Sequence, residues 1–157
     1  TPGNPLKSHE ELAPLAERVE AARALTANPR IHATGFEAVP DFRYTVDTLE
    51  WLSRACEGTR FVWIMGADNL AGFHRWRGWR RIAAMMPMAV IDRPRWTLRA
   101  KTSRAAIALS QARIPEGEAA ALADLPPPAW VFLHGPRSFL SSTDLRRLRR
   151  TSPVGGR

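Results

Sequence analysis

Apolar residues recur at helical spacing near the start of the chain, at Leu12, Leu15, Val19, Ala22 and Leu25. They follow a capping box of Ser8 and Glu11, and the spacing predicts an amphipathic helix over about residues 9–27. The alternating stretch RIHATGFE predicts a strand near 30–36. Val46, Leu49 and Leu52 then share one face of a helix expected over 45–56. RFVWIMGAD is a short, continuous apolar run ending in Gly66, the pattern of a parallel strand buried on both faces. Residues 69–86 read as helical with a break between Gly72 and Gly78, and MAVIDRP as a second buried strand stopped by Pro94. Residues 97–112 read as one helix whose apolar side is Ala105, Ala106 and Leu109. A loop with one helical turn follows, then the strand WVFLH and a last helix in SSTDLRRLRR.

Strand and helix alternate throughout, which predicts an α/β domain with a parallel, Rossmann-like sheet and helices on both faces. One domain is expected over residues 1–150, with a flexible tail at 151–157. There is no apolar run of 18 residues and no secretory pattern, so no membrane contact is expected. The single Cys56 leaves no intramolecular disulfide, and a cytoplasmic setting is the expectation.

The chain carries a formal net charge of +8, and of its 23 cationic side chains only Lys7 and Lys101 are lysine. Arginine suits forked binding of phosphate and carboxylate, so anionic partners are indicated without choosing among them. His9, His32, His74 and His134 are scattered without metal-ligand spacing, and no metal site is expected. No Walker loop, Rossmann glycine signature or nucleophile elbow occurs.

In open α/β sheets ligands bind beyond the carboxyl ends of the strands. Three stretches fall there. In WIMGADN, Gly66 permits close approach to the backbone and Asp68 can accept from ribose hydroxyls; the alternative is a turn in which Asp68 or Asn69 caps the next helix. In VIDRP, Arg93 can face a phosphate or a base, or be a plain surface arginine. In RSFLSSTDLRRLRR, Ser141, Ser142 and Thr143 offer hydroxyls at a helix start, with Arg146 one turn on. That combination makes an anion seat, or else a capped, solvated basic helix. Thr45 and Thr48, three apart in YTVDTL, either bind a small carboxylate or amide, or cap. Trp76 and Trp79 are either core residues or a stacking surface.

Four stretches, TPGNPLK, YTVDTL, FVWIMGADNL…FHRW and FLSSTDLR, together resemble the bacterial nicotinate mononucleotide adenylyltransferases of the nucleotidyltransferase superfamily, over residues 1 to about 150. The resemblance implies transfer of AMP from ATP to nicotinate mononucleotide, giving deamido-NAD and pyrophosphate in NAD biosynthesis, with Mg²⁺ accompanying ATP. It implies that Ser141, Ser142, Thr143 and Arg146 hold the triphosphate. Gly66 would lie near the adenosine, Asp68 on the ribose and Arg93 near the adenine. On the acceptor side it places Thr45 by the pyridine carboxylate, Trp76 against the pyridine ring and Lys7 beside the phosphates. Arg77 stands where an aromatic is common in the family.

The family's GxFDPxHxGH segment, whose histidines are its catalytic groups, does not occur in the chain. The resemblance therefore implies an N-terminally incomplete sheet, lacking a strand–helix–strand unit of about 30 residues, and a catalytically impaired fragment whose catalytic residues stand outside this sequence. Other readings are an adenylyltransferase for nicotinamide mononucleotide or phosphopantetheine, or a basic nucleic-acid-binding module built on Arg146, Arg147, Arg149 and Arg150. Nucleic acid is the less favoured partner, because no reading motif accompanies the short basic run. The oligomeric state stays open, a homo-oligomer included.

Overall fold

Two continuous apolar runs, MAVI and WVFL, lie side by side. The computed structural model describes residues 13–26, 28–38 and 42–135. Four strands are present among them: β1 (Trp63–Gly66), β2 (Met88–Ile91), β3 (Arg113–Ile114) and β4 (Trp130–Leu133). They form one parallel sheet in the order β1-β2-β4-β3. Met88 pairs with Trp63 on one side and Trp130 on the other, and Ile91 with Gly66 and Leu133. All four strands therefore point their carboxyl ends toward one rim.

The described helices are α1 (Leu15–Ala24), α2 (Thr45–Ala55), α3 (Ala67–Gly72), α4 (Trp79–Met85), α5 (Thr97–Lys101) and α6 (Arg104–Ala108). They fall into two compact units: residues up to 59 together with 77–85, and residues 60–76 together with 86–135.

The second unit holds the sheet. Alternation along β2 and β4 divides its core into two layers. Ala89 and Val131 meet Leu122 and Ala129, with Ile114, Ala119 and Leu125 around them. Leu122 comes from a 3-10 run, Glu116–Asp124, that covers this face. Met88, Val90, Trp130 and Phe132 are buried, as are Leu70 and Phe73 and the small residues Ala100 and Ala105 from α5 and α6. The buried indole of Trp130 donates to the carbonyl of Leu109 at 2.8 Å, so its polar atom is satisfied. Arg60 and Asp124 form an exposed ion pair in this unit.

The first unit is helical. Val46 and Leu49 of α2 and Ile82 and Ala83 of α4 are buried. Gly78 has φ +63°, and a Cβ there would stand 3.2 Å from Val46 Cγ2, so both backbone and space call for glycine. Arg81 pairs with Glu50 at 2.8 Å. Phe36, Phe42 and Trp51 form an aromatic cluster, with Phe36 and Trp51 stacked at 5.7 Å.

Four expectations change. The first helix is present over Leu15–Ala24, but it begins after Pro14, no residue in it is fully buried, and Leu25 is 87% exposed. Leu15 and Val19 pack close to Gly35. The stretch expected as a strand near 30–36 is irregular: Ile31 is exposed, and the chain turns into a 3-10 turn at Phe36–Ala38 instead of joining a ladder. β1 is not buried on both faces; it is the outermost strand among the described residues, and Ile64 is 65% exposed. The helix expected over 97–112 is divided into α5, α6 and a 3-10 turn, because Ser103 accepts from the Ala106 N–H at 3.2 Å and starts a new helix there.

Cations lie over aromatic rings in both units. Arg80 is 4.3 Å from the Trp79 ring, Arg77 4.8 Å from Tyr44, Arg113 5.3 Å from Trp130 and Arg99 5.8 Å from Trp96. No helix among the described residues is long and apolar enough to cross a membrane.

Candidate active site

At the carboxyl end of β1 the chain passes from Gly66 straight into α3. Gly66 is extended, with φ −78°, so its backbone is open to any residue. Space is what favours glycine: a Cβ at position 66 would collide with Asp68 Oδ1 and stand 2.8 Å from Arg93 Nε, so both side chains would have to move. Asp68 and Arg93, from the ends of neighbouring strands, thus meet directly over this glycine.

The N-cap of α3 is Gly66, and no side chain forms a capping bond there. The capping alternative for Asp68 and Asn69 is therefore not realised. Asp68 Oδ1 is a buried atom with no hydrogen bond among the described residues. Arg93 Nε stands 3.4 Å from it, close enough for charge attraction but outside hydrogen-bond geometry. The carboxylate side chain is 22% exposed and the guanidinium side chain 54%. Asp68 Oδ1 thus has acceptor capacity that no described residue uses.

Arg93 opens a tight turn. The Trp96 N–H donates to the Arg93 carbonyl at 3.0 Å across Pro94 and Arg95. Arg95 has φ +71°, a left-handed conformation unusual for a residue with a side chain. Asp92 fixes the start of the turn, its Oδ1 accepting from the Arg93 N–H at 2.9 Å and from the Thr97 hydroxyl at 2.7 Å.

Trp76 is half-buried and belongs to an aromatic triangle, 5.7 Å from Trp63 and 5.9 Å from Phe73, which are themselves 5.6 Å apart. Thr45 is the first residue of α2, and the N-cap, Tyr44, makes no side-chain capping bond. Thr48 is buried and donates to Glu37 Oε1 at 3.0 Å, so the second hydroxyl of the YTVDTL pair is used internally. Arg77 lies over Tyr44. Lys7, Ser141, Ser142, Thr143 and Arg146 lie outside the described residues. Of the expected nucleotide residues, then, the structure brings Gly66, Asp68 and Arg93 together.

Sequence reasoning missed a second polar group on the same rim. His134, one residue past β4, is bound by Glu116 and Lys101. The three are far apart in sequence, and no spacing rule joins them. Hydrogen bonds from the His134 ring, and then from its backbone N–H, hold the Glu116 carboxyl below its ordinary value of 4.5, against a smaller opposing effect of desolvation.

A parallel sheet whose rim carries a carboxylate and an arginine over a glycine is an α/β domain with its polar groups gathered where such sheets bind ligands. The chain belongs to the cytidylyltransferase-like family, whose pattern matches residues 1–148. Within that setting it is 62% identical over 146 residues to a protein of Methylorubrum extorquens, covering 93% of this chain and 79% of the relative. It is 52% identical over 150 residues to one of Mesorhizobium japonicum, covering 96% and 77%, and 52% identical over 149 residues to one of Brucella abortus (strain 2308), covering 95% and 77%. All three relatives bear the name "Probable nicotinate-nucleotide adenylyltransferase".

Proposed function

We propose that the protein is a nicotinate-nucleotide adenylyltransferase. It transfers AMP from ATP to nicotinate mononucleotide and releases deamido-NAD and pyrophosphate. The relatives' shared name supports this choice of acceptor, at 52–62% identity over nearly the whole chain. The observation that carries the reading is the Asp68 carboxylate, one oxygen of which has no hydrogen-bond donor, beside Arg93 and above a glycine whose missing side chain leaves both in place.

In this reading the adenosine lies along Gly66, its ribose hydroxyls donate to Asp68, and Arg93 flanks the adenine. Ser141, Ser142, Thr143 and Arg146 hold the triphosphate, and Lys7 neutralises phosphate charge. Thr45 binds the pyridine carboxylate and Trp76 offers its ring to the pyridine. A phosphate oxygen of the mononucleotide attacks the α-phosphorus of ATP in line. The new P–O bond forms as the bond to the bridging α–β oxygen breaks, and that oxygen leaves with pyrophosphate. No covalent enzyme intermediate is involved, so catalysis rests on positioning and charge neutralisation.

No three His, Cys, Asp or Glu side chains converge among the described residues. Mg²⁺ would be carried in on the nucleotide's own phosphate oxygens. When bound it supplies charge neutralisation at the phosphates.

The test is an assay of the protein expressed from its complete reading frame, with ATP and each of nicotinate mononucleotide, nicotinamide mononucleotide and phosphopantetheine. Deamido-NAD and pyrophosphate in equal amounts, with the nicotinate substrate preferred, is the expected result. Transfer to another acceptor alone, or none at all, would reject the reading.

A further inference from the structure

The Glu116–His134–Lys101 cluster lies on the binding rim but has no part in the function just described. The backbone N–H of His134 donates to Glu116 Oε1 at 2.7 Å, and its ring Nδ1 is 2.6 Å from Glu116 Oε2. On the far side of the ring, Nε2 is 2.9 Å from Lys101 Nζ. An ionised carboxylate can only accept, so Nδ1 bears a proton. In the neutral ring Nε2 then holds the lone pair and accepts from the lysine ammonium.

Each element packed around the ring contributes an identifiable group. Lys101 comes from α5 and Glu116 from the 3-10 run. Beneath the imidazole lies the Phe132 ring, at 5.1 Å, which also carries Lys101 at 4.7 Å and, from β3, Arg113 at 6.0 Å. Just past neighbouring β2, Asp92 turns its Oδ1 to Arg93 and Thr97, while its N–H donates to the Leu133 carbonyl at 2.8 Å. His134 and Glu116 side chains are each 43% exposed, so the cluster is open to a solute.

Its charge depends on one proton. With the ring neutral, Glu116 and Lys101 cancel. With the ring protonated the cluster is cationic, and the Nε2–H faces an ammonium with nothing between them to accept. An anion placed there receives both donors and relieves the repulsion, as charge-assisted hydrogen bonds to phosphate do. Position agrees with this: Ile91 pairs with Leu133, so His134 stands one strand, about 4.8 Å, from the start of the Arg93 turn.

We infer that His134 and Lys101 form a binding site for a phosphate group, which is taken up together with a proton on the imidazole. The site extends the nucleotide rim from Arg93 toward β4. It rests on the function proposed above only for the source of that phosphate, the nucleotide or the released pyrophosphate.

The test follows the histidine side-chain resonances by ¹H–¹⁵N NMR while inorganic pyrophosphate is added to the full protein at constant ionic strength. A parallel titration uses sulfate, which does not itself titrate over the range in which histidines gain their proton, about pH 8 to 5. We expect saturable shifts at His134. Sulfate affinity should rise by up to about tenfold per pH unit as the pH falls. Lys101→Met should weaken pyrophosphate binding about tenfold or more, and His134→Gln should remove the pH dependence. Lys101 is partly exposed, so the first variant keeps the test open if the second fails to fold. No shift at His134, the same sulfate affinity across the range, or unchanged binding in Lys101→Met would overturn the proposal. None of these readouts needs turnover. A protein that transfers no AMP but shows the titration loses the proposed reaction and keeps this site; an active protein silent at His134 loses this site alone.

Discussion

Arg93 Nε and Asp68 Oδ1 stand 3.4 Å apart at the ends of adjacent parallel strands, attracted but not hydrogen-bonded. A fully bonded pair would have committed the carboxylate to the arginine. This spacing leaves its acceptor capacity for a ligand.

Asp68→Asn should keep the fold and lose a charge-assisted acceptor. Such a bond contributes about 1.5–3 kcal/mol, so KM for ATP should rise roughly 10- to 100-fold, with KM for the acceptor little changed. Steady-state kinetics and a melting curve check this; an equal rise in both constants would mean general damage to the site.

Gly66→Ala should act on the same pair by crowding it, since the added methyl must push the Asp68 and Arg93 side chains away. Both are free to swing at their far ends, so we expect a stability change below about 1 kcal/mol and a fall in kcat/KM of at least roughly tenfold. Circular dichroism melting beside the kinetics separates the two effects.

Gly78→Ala tests the helical unit. The left-handed backbone at φ +63° and the nearby Val46 methyl oppose any side chain there. The conformational cost is about 1–2 kcal/mol, and chemical denaturation should show a loss of this order.

Much of this framework was legible in the chain. MAVI and WVFL are continuous apolar runs, and they form the two central strands as a parallel sheet requires. Val46 and Leu49 marked the buried face of α2. β3 was not legible: two residues, one of them charged, leave no periodicity to read. RIHATGFE alternates like a strand, yet alternation only helps where a ladder partner and a covered face exist, and Ile31 is exposed outside any ladder. Gly66 and Asp68 could be proposed from their place after a strand. Their meeting with Arg93 depends on β1 and β2 being neighbours, which strand order alone decides.

Glu116→Gln should show a pH-dependent loss of stability. The folded protein holds this carboxyl below its ordinary value of 4.5. A depressed carboxyl contributes stability above its unfolded value and loses it as the pH falls through the folded one. The melting-temperature gap between the native protein and the variant should therefore be open at neutral pH and close as the pH falls below about 4.5. A gap independent of pH would show that His134 does not depend on the carboxylate's charge.

The arginines lying on Trp79 and Trp96 give the protein's basic character a second meaning. A planar cation can roof an indole and stay hydrated at its edge, whereas a lysine head cannot tile a ring in this way. Replacing Arg80 and Arg99 by lysine would leave the net charge of +8 untouched and still uncover the indole faces of Trp79 and Trp96. The cost would appear as self-association in concentrated solution, so for these residues colloidal behaviour follows the shape of the cation more than the sum of the charges.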